Sequence, residues 1–248
     1  MIGIDISSWQ RGLDLAPLKE AGCEFAIIRA AQACRADSEG PGFYMAARQI
    51  GLPCGVYQYS EATTSAEAEK EARYLLSLIN GWPMPCGVWM DVETPEQLAL
   101  PNDVLLDAAR AWCRVIREAG YLPGVYSSEL SAWSKFAPAD LGEDVLVWVA
   151  HYGKSPAMPC DLWQYTDQYL INGYDFKLDI DLVRNDRFQR MVEAAAAAPP
   201  ADHPDPTGEP GEPGDAPDIS GAPELVAEFL KTDACRDLFA VFIANRKG

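Results

Sequence analysis

The 248-residue chain is short of positive charge: 20 Lys and Arg stand against 37 Asp and Glu, a net charge of −17, with only two histidines. A nucleic-acid binder needs a basic patch, and a chain this acidic would repel phosphate backbones, so no nucleic-acid partner is expected. Long apolar runs are missing as well. None approaches the roughly 18 uninterrupted apolar residues of a membrane-spanning helix, so no integral membrane segment is expected. The opening MIGIDISSWQ has neither the basic stretch nor the apolar core of a secretory signal, which predicts synthesis in the cytoplasm. The seven cysteines (Cys23, Cys34, Cys54, Cys86, Cys113, Cys160 and Cys235) form no CxxC pair and no zinc spacing. Most lie in apolar segments such as GCEFAII and LPCGVY, and they read as buried, reduced thiols. There is no GxSxG, P-loop, GxGxxG or kinase signature. His151 is the one histidine before residue 194. It reads as a structural or substrate-edge residue rather than as the base of a nucleophilic triad.

What is present is ordinary globular material, 48% hydrophobic and 23% charged, up to about residue 193. The stretch AAAAAPPADHPDPTGEPGEPGDAPD then offers almost nothing to bury, and residues 194–221 read as an acidic, Pro/Gly/Ala-rich linker. Beyond it, PELVAEFLKTDACRDLFAVFIAN reads as an amphipathic helix within residues 222–248. Pro223 suits its first turn, and Leu225, Val226, Phe229, Leu230, Leu238, Phe239, Phe242 and Ile243 recur at helical spacing. Three uses of that stripe stay open: docking on the chain's own first domain, self-association, or a protein or membrane partner. From residue 196 onward four basic and ten acidic residues sum to −6, which speaks against anionic membranes.

Residues 1–193 are punctuated regularly. Eight short runs rich in β-branched and aromatic residues stand out: IGIDIS, FAIIRA, GVYQYS, CGVWMDVE, PGVYSS, VLVWVAHY, DLWQYT and LDIDLV. Helical patterns at 13–22, 42–51, 65–80 and 102–120 follow the first four runs, the helix after the fifth shortens, and loops join the last strands. This order predicts an α/β fold, an irregular TIM-like barrel of five β-α units followed by three strands that can pair antiparallel.

The chemistry-bearing residues are acids at strand ends. Asp91 and Glu93 are two apart and so share one face of their strand, which in a barrel is the interior, near the C-terminal mouth. Asp5 lies near the end of the first run, and Asp179 and Asp181 lie on the last. Converging carboxylates raise at least one pKa, and a protonated carboxyl beside an ionised one is the equipment for glycoside cleavage. Each acid alone also fits a turn or cap, and a carboxylate site would equally suit Mg²⁺ or Ca²⁺. Aromatics surround these positions, Trp9 after the first run and Tyr57, Tyr59, Trp89, Tyr126, Trp148, Tyr152, Trp163 and Tyr165 on later ones, and most serve the core by default. Those facing the mouth would offer ring faces and polar tips to a sugar.

These residues resemble the glycoside hydrolase family 25 lysozymes, the Chalaropsis-type muramidases of bacteria, fungi and phages. The resemblance runs from Ile2 to about Phe188, through GIDISSWQ, FAIIRA, GVYQYS, VWMDVE, GYLPGVYSS, VWVAHY, LWQYT and LDIDLV in order. It implies an irregular barrel that cleaves the β-1,4 bond between N-acetylmuramic acid and N-acetylglucosamine in peptidoglycan, without a cofactor or metal. It also implies Glu93 as general acid, Asp91 as the group that steadies the N-acetyl group or the developing positive charge, and Asp5 and Asp179 as further catalytic acids. Tyr57 matches a family tyrosine near the sugar; Tyr59, Trp89, Tyr126, Trp148, Trp163 and Asp181 complete the substrate-binding candidates. The family often carries an amide two residues after its last-strand aspartate, so Asp181 is an additional carboxylate and a competitor to Asp179. Residues 194–248 match none of the wall-binding repeats often attached to such enzymes. The expected role is that of a phage endolysin or virion-associated lysin acting on the bacterial wall. The alternative is a barrel that holds glycan without cutting it, or a structural component of a particle.

Overall fold

A computed structural model describes residues 1–142, 144–171 and 173–198. The expected linker beyond residue 198 and the expected C-terminal helix lie outside the described residues. The strands are β1 (Ile2–Ile6), β2 (Phe25–Gln32), β3 (Arg35–Ala36), β4 (Cys54–Tyr59), β5 (Val88–Asp91), β6 (Pro123–Ser128), β7 (Leu146–Ala150), β8 (Leu162–Leu170) and β9 (Lys177–Val183). All but β3 form a closed barrel, because β1 pairs with β2 on one side and with β9 on the other. The pairings from β1 round to β8 are parallel, while β8–β9 and β9–β1 are antiparallel. The barrel is therefore irregular where the sequence loses its helices. The two-residue β3 is a hairpin appendage of β2.

The helices α1 (Leu15–Glu20), α2 (Gly40–Gln49), α3 (Ser65–Leu78), α4 (Pro95–Leu98) and α5 (Asn102–Glu118) cover the outside. Helix α5 shows why: Leu105, Ala108, Ala109, Trp112, Cys113, Val115 and Ile116 are buried at helical spacing. The fifth unit carries only 3₁₀ turns, Ala132–Ser134 and Pro138–Leu141. Pro138 has no N–H for an i→i−4 bond, so a regular helix cannot run through it.

A sixth helix, α6 (Asp186–Ala197), is not foreseen in the sequence. The Asn185 side chain caps it by accepting from Phe188 N at 3.0 Å. It ends at Ala198, which is extended (φ −74°, ψ 139°) and precedes Pro199, a position biased away from helix. The first four alanines of the expected linker, 194–197, thus belong to α6. Its buried residues, Phe188 and Val192, pack into the lower end of the barrel with Phe25, Ile27, Trp89, Leu146 and Leu162. The Phe188 ring meets Phe25 edge-on at 5.6 Å.

Two glycines permit this packing. A Cβ on Gly3 would sit 2.3 Å from the Phe25 ring, and one on Gly124 would sit 2.2 Å from the Trp89 indole. The lower lumen is thereby filled, and the opposite, C-terminal end is left open. The six described cysteines are all free, five of them buried. Among the described residues no helix is long and apolar enough to cross a membrane.

Candidate active site

A cavity of about 570 Å³ opens at the C-terminal mouth of the barrel. Alternation along the strands builds it. Asp5, Tyr57, Tyr59, Asp91, Glu93, Tyr126, Trp148 and Asp179 all project inward and line it. Cross-strand register brings Asp5 beside Asp179, Tyr59 beside Asp91, and Asp91 beside Tyr126. All four acids expected to be catalytic thus share one cavity.

Their surroundings differ. Asp91 is 5% exposed and its Oδ1 has no hydrogen-bond partner. Burial pushes its pKa well above the usual carboxylate range; the charges of Glu93 and Asp5 add to the rise, and Arg29 opposes it. Glu93, just past the end of β5, reaches the solvent side of the mouth, yet the cavity walls displace enough water to raise its pKa too. Burial, followed by the charge of Asp5, carries Asp179 up to about 9. Asp5 is also raised, by burial and then by Asp181. Protons are therefore held here at a pH where free carboxyls have lost theirs.

Several residues that position the acids escape a reading of the sequence. Gln164 Nε2 donates to Asp5 Oδ2 at 2.8 Å, while its Oε1 accepts from Tyr126 Oη at 2.7 Å and Tyr152 Oη at 3.1 Å. One buried amide therefore orders an acid and two phenols. Arg29 is clamped by Asp37 at 2.7 Å and Ser8 Oγ at 2.9 Å, and it adds a positive charge to the wall. Both residues lie at inward parity, Arg29 in FAIIRA and Gln164 in DLWQYT, but neither is an acid or an aromatic, the types whose chemistry is legible without their neighbours. Trp9, on the 3₁₀ turn Ser8–Gln10, and Tyr152 stand on the rim, 77% and 50% exposed.

Three expected substrate contacts are corrected by the structure. Trp89 faces inward but sits two residues deeper than Asp91, is 0% exposed, and donates its indole N–H to Cys86 O at 2.8 Å. It belongs to the plug of the lower lumen. Trp163 points outward from β8, donates to His151 O at 2.7 Å, meets the Tyr165 ring edge-on at 5.3 Å and carries the Arg184 guanidinium 5.2 Å from its ring. Asp181 faces inward but lies beneath the cavity, 0% exposed. His151 pairs through Nδ1 with Glu129, which also accepts from Ala157 N at 2.7 Å and Met158 N at 3.0 Å, so it ties loops together beside the mouth. No group of three or more His, Cys, Asp or Glu among the described residues is arranged to hold a metal ion.

The family profile of the glycosyl hydrolases family 25 matches residues 4–174, which is most of the barrel. The chain belongs to glycosyl hydrolase family 25. This family-25 chain is 29% identical over 188 residues to the autolytic lysozyme of Clostridium acetobutylicum, a match over 73% of the chain and 55% of that protein. It thus spans about half the length of that relative. Among solved structures it resembles the catalytic domain of an endolysin from a Listeria monocytogenes bacteriophage, with 25% identity, a TM-score of 0.64, and coverage of 77% of this chain and 97% of the other. It also shares the fold of the bacterial lysozyme from Streptomyces coelicolor, with 22% identity, a TM-score of 0.66, and coverage of 79% and 97%.

Proposed function

We propose that the chain is a peptidoglycan hydrolase of muramidase type, cleaving the β-1,4 bond from N-acetylmuramic acid to N-acetylglucosamine. The observation that carries this reading is the convergence of Asp5, Asp91, Glu93 and Asp179 on one cavity, with Glu93 the acid most open to solvent. Glu93, its pKa raised, gives its proton to the glycosidic oxygen as the bond from that oxygen to the anomeric carbon breaks. The leaving sugar departs with its 4-hydroxyl restored, and water supplies the hydroxyl that ends on the anomeric carbon. Asp91, fixed at the end of β5 with one oxygen unbonded, supports the positive charge or the N-acetyl group as it forms. Asp5 and Asp179 complete the acidic wall. Tyr57, Tyr59, Tyr126 and Trp148 supply the ring surfaces of the cleft, and no cofactor takes part.

The kinship with autolytic lysozyme and with an endolysin catalytic domain supports action on the bacterial wall, and a role as a phage endolysin or virion-associated lysin. We assign the barrel together with α6, residues 1–198, to the catalytic unit, the acidic stretch from there to residue 221 to the linker, and 222–248 to an association segment that binds a second copy or a protein partner.

Digestion of purified peptidoglycan by the wild type and by Glu93→Gln, with mass analysis of the released sugar ends, tests the reading. The wild type should release reducing ends at N-acetylmuramic acid. The variant keeps the shape of the site but has no proton to donate, so it should lose about 100-fold or more of the turnover while still binding glycan. A variant that cleaves normally would remove Glu93 from the chemistry. Bound but uncut glycan with both proteins would turn the reading to a binding barrel.

A further inference from the structure

Beneath the cavity floor lies a carboxyl that the proposed chemistry does not use. Asp181 projects inward from β9, in register with Gly3 of β1 and Gln164 of β8, and is 0% exposed. Its Oδ1 accepts from Trp148 Nε1 at 2.8 Å, and its Oδ2 has no donor among the described residues. Its carboxyl lies within hydrogen-bond reach of the Asp5 carboxyl, which is 5% exposed and accepts from Gln164 on its other side.

The other groups facing this pair give no compensation. Asp179 on β9 also stands within hydrogen-bond reach of Asp5 and, with its pKa pushed up to about 9, brings no positive charge; Trp148 on β7 and Gln164 on β8 are neutral. Cys23, before β2, is a thiol that burial pushes up to about 12, so it too is neutral. The cavity's Arg29 is committed to Asp37 and Ser8. Two facing carboxylates in so dry a place repel one another, whereas a single proton between them converts repulsion into a charge-assisted O–H···O bond.

We propose that Asp181 is a positioning residue that shares a proton with Asp5 and, with Gln164 on the opposite side, fixes where Asp5 stands in the cavity wall. The inference rests on the reading above that Asp5 belongs to the reacting acids. Asp181 itself lies below the cavity and does not meet the sugar. Oδ1 is occupied by the indole, and the unpaired Oδ2 is the oxygen available to take part in the shared bond.

Asp181→Asn and Asp181→Leu in the full chain separate positioning from mere filling. An amide accepts from Trp148 and donates to Asp5 as a protonated carboxyl does, but has no proton to lose; leucine does neither. Peptidoglycan cleavage should fall about tenfold or more in kcat for the leucine variant, with KM little altered, because a misplaced acid costs turnover. Asparagine should rescue most of that loss. Thermal unfolding supplies the second readout. A carboxyl whose folded-state pKa is raised loses stability for the fold as pH climbs from its ordinary value toward the folded one. The asparagine variant should therefore gain Tm over the wild type, with a gain that grows from pH 4 to pH 8. A leucine variant as active as the wild type, an asparagine variant as impaired as leucine, or a Tm difference independent of pH would each overturn the proposal. If the leucine variant does not fold, the asparagine activity and its pH-dependent Tm decide alone. A wild type that cuts no glycan would sink the muramidase reading, while the Tm series would still decide the shared proton.

Discussion

Asp179 shows how function and stability pull apart at a single residue. It faces the cavity and, unlike Asp181, can meet a substrate. Its pKa rises from 3.8 to about 9, with burial the first cause and Asp5 the second. A carboxyl raised in this way binds its proton more tightly in the folded state, so stability falls as pH rises from about 4 to about 9. Asp179→Asn should therefore lower the proposed peptidoglycan cleavage by about tenfold or more, yet unfold at higher urea than the wild type at pH 7. At pH 4 the two should unfold alike. A stability gain equally large at pH 4 would mean that something other than the carboxyl's titration is responsible. At this scale the sequence was legible where chemistry and parity coincide. The spacing of Asp91 and Glu93 puts both on one face, and the structure places both in the cavity. Gln164 and Arg29 were not legible as site residues, because an amide and a guanidinium acquire their meaning only from the acids beside them.

Among the elements, α6 decides which end of the barrel is open. Phe188 and Val192 enter the lower lumen in the cluster that holds Phe25 and Trp89, so the open cavity is confined to the other end. Phe188→Ala should leave a void among rings that cannot collapse around it, at a cost of about 3–5 kcal/mol in denaturant unfolding. Peptidoglycan cleavage measured well below the new Tm should stay near the wild-type rate, since the mutation lies at the end of the lumen opposite the mouth. A cost under about 1 kcal/mol would show that the plug is dispensable. The helix escaped a reading of the sequence because its C-terminal turn is an alanine run leading into prolines. Alanine is the best helix former, but a run of it beside Pro, Gly and acid looks like linker. The cap Asn185 and the pair Phe188 and Val192, four residues apart, were the available signals. Trp89 illustrates the complementary error. Parity told correctly which face it occupies, but height along the barrel follows from strand tilt and from the rings packed below.

For the whole molecule, the proposal that residues 222–248 bind a second copy is tested through the oligomeric state. Deleting residues 218–248 should reduce the solution mass from an oligomer to a monomer in light scattering, and a mass that falls only by the deleted residues would count against self-association. The stripe of Leu225, Phe229, Phe242 and their neighbours motivates the test, since an apolar face of that width gains by leaving water.

A barrel of eight strands, and the side of each strand that carries the acids, could be read from the residues alone. Those properties follow from local alternation, from turn residues and from the regular return of helix after strand. Which inward residues reach the cavity, that Asp179 lines it while Asp181 lies under it, and that α6 closes the far end all follow from the folded barrel. Depth in a closed barrel depends on register between strands distant in the chain, as between β1 and β9, and no local pattern encodes that.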